Sequence, residues 1–173
     1  MKTELKRSDI SAAGFRFAIV VSRWNDEFTS RLADGAIEAL RESGADDDVI
    51  EVVRVPGAFE LPIASLEAAK TGRFDAVIAL GVVIRGDTPH FDYVAGQAAA
   101  GILKASMETG VPVMFGVITA DTVEQVVARS GQKGDNKGYE AAMAAVEMAH
   151  VIRGLRTGKE QGRVEEKVFP HVV

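Results

Sequence analysis

Apolar positions along the chain alternate between short unbroken runs and helical stripes. Residues 15–22, FRFAIVVS, form a β-branched and nearly continuous apolar run, the pattern of a strand covered on both faces. In the following NDEFTSRLADGAIEALRESG, Ala33, Ala36, Ile37 and Leu40 recur at helical spacing and Gly44 supplies a stop, which predicts an amphipathic helix. Residues 48–55, DVIEVVRV, predict a second strand ended by Pro56 and Gly57, and ELPIASLEAAKTG predicts a short helix. FDAVIALGVVI, residues 74–84, is the most apolar run and so the expected central strand. A third helix is expected from near Pro89, with Phe91, Val94, Ala95, Ala98 and Ile102 on one stripe, and VPVMFGVI, residues 111–118, predicts a fourth strand. A short helix around 121–129, a glycine-broken loop and a long helix from about 136 to 155 complete the order. Strand and helix in strict alternation predict an α/β fold: a mostly parallel four-stranded sheet with helices on both faces. One domain over 15–155 is expected, between an N-terminal segment, 1–14, and a charged C-terminal tail, 156–173.

Composition narrows the chemistry more than the fold. The chain has 173 residues, 47% of them hydrophobic, enough for one sizeable core. Its net charge of -5 argues against a general polyanion binder, and nucleic acid is not an expected partner. Cysteine is absent, which excludes disulfides, thiolate metal sites and cysteine nucleophiles. The polar start MKTELKRSDISAAG lacks the apolar stretch of a signal peptide, and no run approaches the length of a membrane span, so a soluble, cytoplasmic protein is the expectation. No membrane partner is expected.

Open parallel sheets bind ligands beyond the carboxyl ends of their strands, so the loops found there carry the candidate chemistry. After the first strand stands Trp24, the sole tryptophan, readable either as a cap on the core edge or as a platform for a flat ligand. After the second, Phe59 and Glu60 follow the Pro56-Gly57 turn, where Glu60 taken alone reads as a helix cap. The third strand runs into RGDTPH, residues 85–90. There Thr88 and Pro89 look like a helix start, a capping hydroxyl followed by a proline in the first helical position. A helix N-terminus also attracts anions, and His90 in its first turn is placed to move a proton at neutral pH. Asp87 must then point away from the anion or stay solvated. Arg85 reads as a salt bridge shaping the loop or as a direct substrate contact. Past the fourth strand, Arg129, Lys133 and Lys137 stand four residues apart. They read either as a solvated helical face or, because Gly131 and Gly134 interrupt a helix, as a bent connection seating one phosphate.

Four motifs in order, RWN, VPGAFELP, ALGVVIRGDTPHFDYV and GQKGDNKG, resemble the 6,7-dimethyl-8-ribityllumazine synthase family over about Phe15 to Leu155. The resemblance implies a flavodoxin-like three-layer sandwich. It implies a riboflavin-pathway enzyme that joins 5-amino-6-(D-ribitylamino)uracil to 3,4-dihydroxy-2-butanone 4-phosphate, releasing phosphate and water, without cofactor or metal. By the same resemblance Trp24 stacks on the pyrimidine, in a position usually held by phenylalanine. Ala58, Phe59 and Glu60 hold the ribityl chain, and the backbone of Val83 and Ile84 reads the pyrimidine edge. Gly86, Asp87 and Thr88 form the turn that receives the phosphate, and His90 is the general acid/base. Phe115, Arg129 and Lys137 reach the site from a neighbouring subunit, with Arg129 pairing the phosphate.

Homo-oligomerisation is therefore expected, sharpened by the resemblance to a homopentamer, with an icosahedral shell of such pentamers as its larger form. Gln132 and Asp135 stand where many shell-forming relatives carry threonine or glycine, and glycine. YVAGQAAAGILKA and YEAAMAAVEMAHVI are apolar beyond one stripe, an independent sign of helices covered on more than one side. A flavin-binding or receiver module is one rival of the same architecture. A receiver, however, needs an acidic pocket where Ser22, Arg23 and Gly81 stand, and neither G-x-G-x-x-G nor a P-loop occurs. An inactive shell protein is the other rival, opposed by the presence of both His90 and Arg129.

Overall fold

The computed structural model describes residues 10–158. Residues 1–9 and 159–173, which include most of both expected terminal segments, lie outside the described residues. Four strands, β1 (Phe17–Ser22), β2 (Ile50–Val55), β3 (Ala76–Ile84) and β4 (Val113–Ala120), form one sheet in the order β2-β1-β3-β4. Every pairing is parallel. The helices are α1 (Asp26–Glu42), α2 (Leu61–Lys70), α3 (His90–Thr109), the single-turn α4 (Val123–Val127) and α5 (Lys137–Thr157).

Alternation along the strands assigns the two faces. Phe17, Ile19 and Val21 of β1 join Ile78 and Leu80 of β3 under α1 and α5, while Ala18 and Val20 join Val77 and Ala79 under α2 and α3. The result is the three-layer flavodoxin-like arrangement, helices over both faces of a parallel sheet. All six residues of β1 and the first eight of β3 are buried, which is why these two read as unbroken apolar runs. Ile10 and Ala12 are buried in the same core as α1 and α5, ahead of β1.

Several boundaries differ from the sequence reading. β4 starts two residues later than expected and runs on to Ala120, because Thr119 and Ala120 still pair with Val83 and Ile84. At the start of α3, Pro89 occupies the N-cap position rather than the first helical one. Thr88 Oγ1 accepts only a long bond, 3.4 Å, from the His90 amide. Its hydroxyl closes a local turn instead of capping the helix interior. α5 runs to Thr157, so the expected tail begins inside a helix whose Arg156 donates to the Gly110 carbonyl at 2.8 Å.

Candidate functional site

The chain leaves β1 to form β2 on one side and β3 on the other, so a crevice opens at the carboxyl ends of β1 and β3. Asn25 fixes the first wall. It is the one non-glycine with positive φ among the described residues, at 60°, and its side-chain amide donates to the Val82 carbonyl at 3.1 Å. Asparagine tolerates this left-handed geometry better than most residues. The Arg23 and Trp24 amides also donate to the Pro56 carbonyl, at 3.2 and 3.0 Å, tying the loop after β1 to the loop after β2.

These ties hold the loop that carries Trp24 against the loop after β2. The indole is 64% exposed and lies across Gly57, where an added Cβ would sit 2.6 Å from ring carbon Cζ3. It is not a cap on the core edge. The six-membered ring of the indole lies close against the Gly57 backbone, where only a glycine leaves it room. Glu60 does serve the turn: its carboxylate accepts from the Gly57 amide at 2.9 Å. Ala58 is buried against the sheet, whereas Phe59 projects and is 55% exposed.

Val83 is buried and Ile84 half-buried at the end of β3, and Arg85 through His90 are all exposed. Arg85 is committed to the loop. Its Nε donates to Asp121 at 2.8 Å, its Nη2 and Nη1 donate to Asp92 at 3.1 and 3.3 Å, and its guanidinium lies 4.1 Å from the Phe91 ring centroid. The Asp92 and Asp121 hydrogen bonds hold it above its ordinary pKa. The loop is thus pinned from its first residue to the first turn of α3. Gly86 has open space around the Cβ position, and Asp87 has no salt bridge among the described residues. No described residue hydrogen-bonds the His90 ring.

A second cleft, of about 400 Å³, lies elsewhere, along β4 and the start of α5. Phe115, Thr119, Arg129, Lys137 and Glu140 are among its lining residues, and none of the residues from the loops after β1, β2 and β3 takes part. Phe115 is 47% exposed beside the sheet edge. Lys137 pairs with Glu140 at 2.6 Å, whereas the Arg129 guanidinium donates to the Gln125 carbonyl, at 3.0 Å, and meets no carboxylate among the described residues. The three spaced cations therefore do not act together. Lys133 turns away to pair with Glu42, which also accepts from the Tyr139 hydroxyl at 2.7 Å.

Within one chain the expected site residues thus fall into two groups. Trp24, Ala58, Phe59, Glu60, Val83, Ile84 and Gly86 to His90 gather at the strand ends, while Phe115, Arg129 and Lys137 share the β4 cleft. Two contributors escaped the sequence reading. Gly57 supports the indole, and Asn136 stands immediately before α5, where asparagine is a ready N-cap signal. Among the described residues there is no cluster of three metal-ligating side chains and no helix long and apolar enough to cross a membrane.

Comparison with known proteins bears on what these groups do. The profile described as 6,7-dimethyl-8-ribityllumazine synthase matches residues 14–153. A 6,7-dimethyl-8-ribityllumazine synthase of Syntrophus aciditrophicus is 55% identical over 83% of this chain and 94% of its own length. Proteins of the same name from Desulfatibacillum aliphaticivorans and Chlorobium chlorochromatii are 53% and 49% identical, over 85% and 90% of this chain and 95% and 100% of their own lengths.

Proposed function

The chain belongs to the 6,7-dimethyl-8-ribityllumazine synthase family, and we propose that its two groups of residues are the halves of one active site, each completed by a neighbouring subunit of a homo-oligomer. The enzyme is a transferase of riboflavin biosynthesis. It condenses 5-amino-6-(D-ribitylamino)uracil with 3,4-dihydroxy-2-butanone 4-phosphate to 6,7-dimethyl-8-ribityllumazine, with loss of phosphate and water. The observation that carries the shared site is the division itself. Trp24, Glu60 and His90 are at the strand ends, while Arg129, which meets no carboxylate among the described residues, lines a separate cleft on the β4 edge.

In this reading Trp24 stacks on the pyrimidine, with the backbone of Val83 and Ile84 at its edge. Ala58, Phe59 and Glu60 hold the ribityl chain. The phosphate lies between the Gly86–Thr88 turn of one subunit and Arg129 of the next, and Phe115 and Lys137 close the site from that same neighbour. Asp87 stays solvated, in keeping with its exposure. Attack of the aryl amine on the ketone, loss of water to give an imine, proton removal with expulsion of phosphate, and ring closure all move protons. His90, at the first turn of α3, is the exposed group that takes and returns them. Both substrates are intrinsically reactive, so holding them together and balancing the phosphate charge account for most of the rate.

A second subunit also covers exposed apolar surface. Tyr93, Leu103 and Met107 of α3 are 69%, 63% and 77% exposed. A homopentamer is the assembly proposed, with the icosahedral shell as its higher-order form, and the compartment proposed is the cytoplasm. Mixing the purified protein with both substrates and following product fluorescence tests the activity. A rate above the uncatalysed condensation is expected, and the uncatalysed rate alone would refute it. Sedimentation velocity tests the assembly: a monomer at micromolar concentration would remove the shared site.

A further inference from the structure

Arg129 and Lys137 flank one cleft although seven residues, 130–136, separate them. That segment holds two glycines, Gly131 and Gly134, and a single 3-10 turn, Lys133–Asp135, and a chain of that composition would be expected to wander. It is closed instead at its neck, where the Lys137 amide donates to the Arg129 carbonyl at 2.9 Å and Ser130 bridges Asn136 in antiparallel fashion. Asn136 holds the neck to the rest of the molecule. Its side chain is 2% exposed, and its Nδ2 donates to the Arg31 carbonyl of α1 at 3.0 Å and to the Gly131 carbonyl at 2.9 Å. Its Oδ1 accepts from the Gly138 and Tyr139 amides at 2.9 and 3.0 Å, which caps α5. Both donors and both acceptor sites of the carboxamide are therefore used, and the two carbonyls on one side and two amides on the other fix which atom is nitrogen. Gly35 makes the room: a Cβ there would sit 2.6 Å from Asn136 Cγ.

We infer that Asn136 is a positioning residue for the reaction: its buried carboxamide locks the 130–136 segment against α1, which holds Arg129 on the cleft it shares with Lys137 and so presents the Arg129 charge to the phosphate. The inference rests on the assignment of Arg129 to the phosphate. A capping role alone would need only the oxygen. The two donor bonds, one of them to a helix more than a hundred residues earlier in the chain, add nothing to the cap and act only on the loop.

Asn136→Ser separates the two roles, because its hydroxyl can still cap α5 but is too short to reach both carbonyls. Inhibition by inorganic phosphate and the KM of each substrate are measured on the assembled enzyme. The expected result is an inhibition constant for phosphate and a KM for the butanone phosphate both raised about ten-fold, below the hundred-fold that a misplacement of about 1 Å can cause. The KM for the pyrimidine should stay unchanged. Gly35→Ala, which disturbs the same carboxamide from α1 and leaves every site residue intact, should give the same split, so the test survives if Asn136→Ser does not assemble. In the double variant with Arg129→Ala, the loss of phosphate affinity should fall short of the product of the single losses. If Arg129→Ala weakens phosphate but both Asn136→Ser and Gly35→Ala leave it unchanged, Asn136 is only a cap. If Arg129→Ala itself leaves phosphate binding intact, the phosphate assignment fails, and the inference with it.

Discussion

Gly57→Ala presses on the stacking platform: a Cβ there would crowd the Trp24 ring first and the Glu60 carboxylate, 3.2 Å away, second. Gly57 has φ −136° and ψ −177°, extended backbone that alanine adopts freely, so the substitution strains nothing in the main chain. The new methyl would instead meet the indole of Trp24, 2.6 Å from Cζ3. Carbon atoms rest about 3.5 Å or more apart, so the ring must retreat by about 1 Å or swing aside. With the indole 64% exposed, that movement costs little stability, within about 0.5 kcal/mol. Aromatic pairs contribute about 0.5–1.5 kcal/mol beyond area burial, which converts to a rise of about two- to twelve-fold in the KM for the pyrimidine substrate. Steady-state kinetics with product fluorescence read the KM, and the emission of the single tryptophan reports the displacement directly. The KM for the butanone phosphate should not change. A shifted tryptophan emission with an unaltered pyrimidine KM would refute the stacking role of Trp24. A large fall in thermal stability would refute the claim that Gly57 serves the site rather than the fold.

Further outcomes follow from the same geometry. His90→Ala should lower kcat by about ten- to a hundred-fold with both KM values nearly constant, because one proton shuttle is lost while the positioning of both substrates is kept; abolished turnover, or no change, would contradict that role. Arg129→Ala should raise the KM for the butanone phosphate and leave the pyrimidine KM alone, and initial rates over a grid of both substrates separate the two. Gly138→Ala should destabilise the enzyme by about 3 kcal/mol, since its Cβ would lie 2.6 Å from the Leu32 carbonyl carbon, a backbone atom in α1 that has nowhere to go. For a domain of this size, thermal unfolding should shift down by about 6–12 °C.

The sequence carried the architecture because the strands most buried in the sheet, β1 and β3, are nearly pure apolar runs, and α1 keeps a clean helical stripe. It misplaced β4 because Thr119 interrupts the apolar pattern although its backbone still pairs with Val83. The turn after β3 was legible as chemistry but not as geometry. Arg85 could be resolved only once its partners, Asp92 and Asp121, were brought together by the fold. The even spacing of Arg129, Lys133 and Lys137 suggested a solvated face and the glycines between them a bent connection seating one phosphate, yet Glu42, distant in sequence, draws Lys133 away. Asn136 was hidden for the same reason. Its cap is local and readable, while the bond to Arg31 that ties the loop to α1 is purely tertiary. Periodicity records which side of an element is covered, and long-range polar pairings leave no periodic trace.

The central claim is that one active site is assembled from the strand ends of one subunit and the β4 cleft of the next. His90→Ala and Arg129→Ala damage opposite halves, so co-refolding the two variants in equal amounts and assaying at substrate concentrations below KM tests it directly. In randomly mixed rings about a quarter of the interfaces would pair two intact halves, so the mixture should recover about a quarter of the native kcat/KM. Activity no greater than the average of the two separate variants would contradict it, and would place both residues in a site built by a single chain.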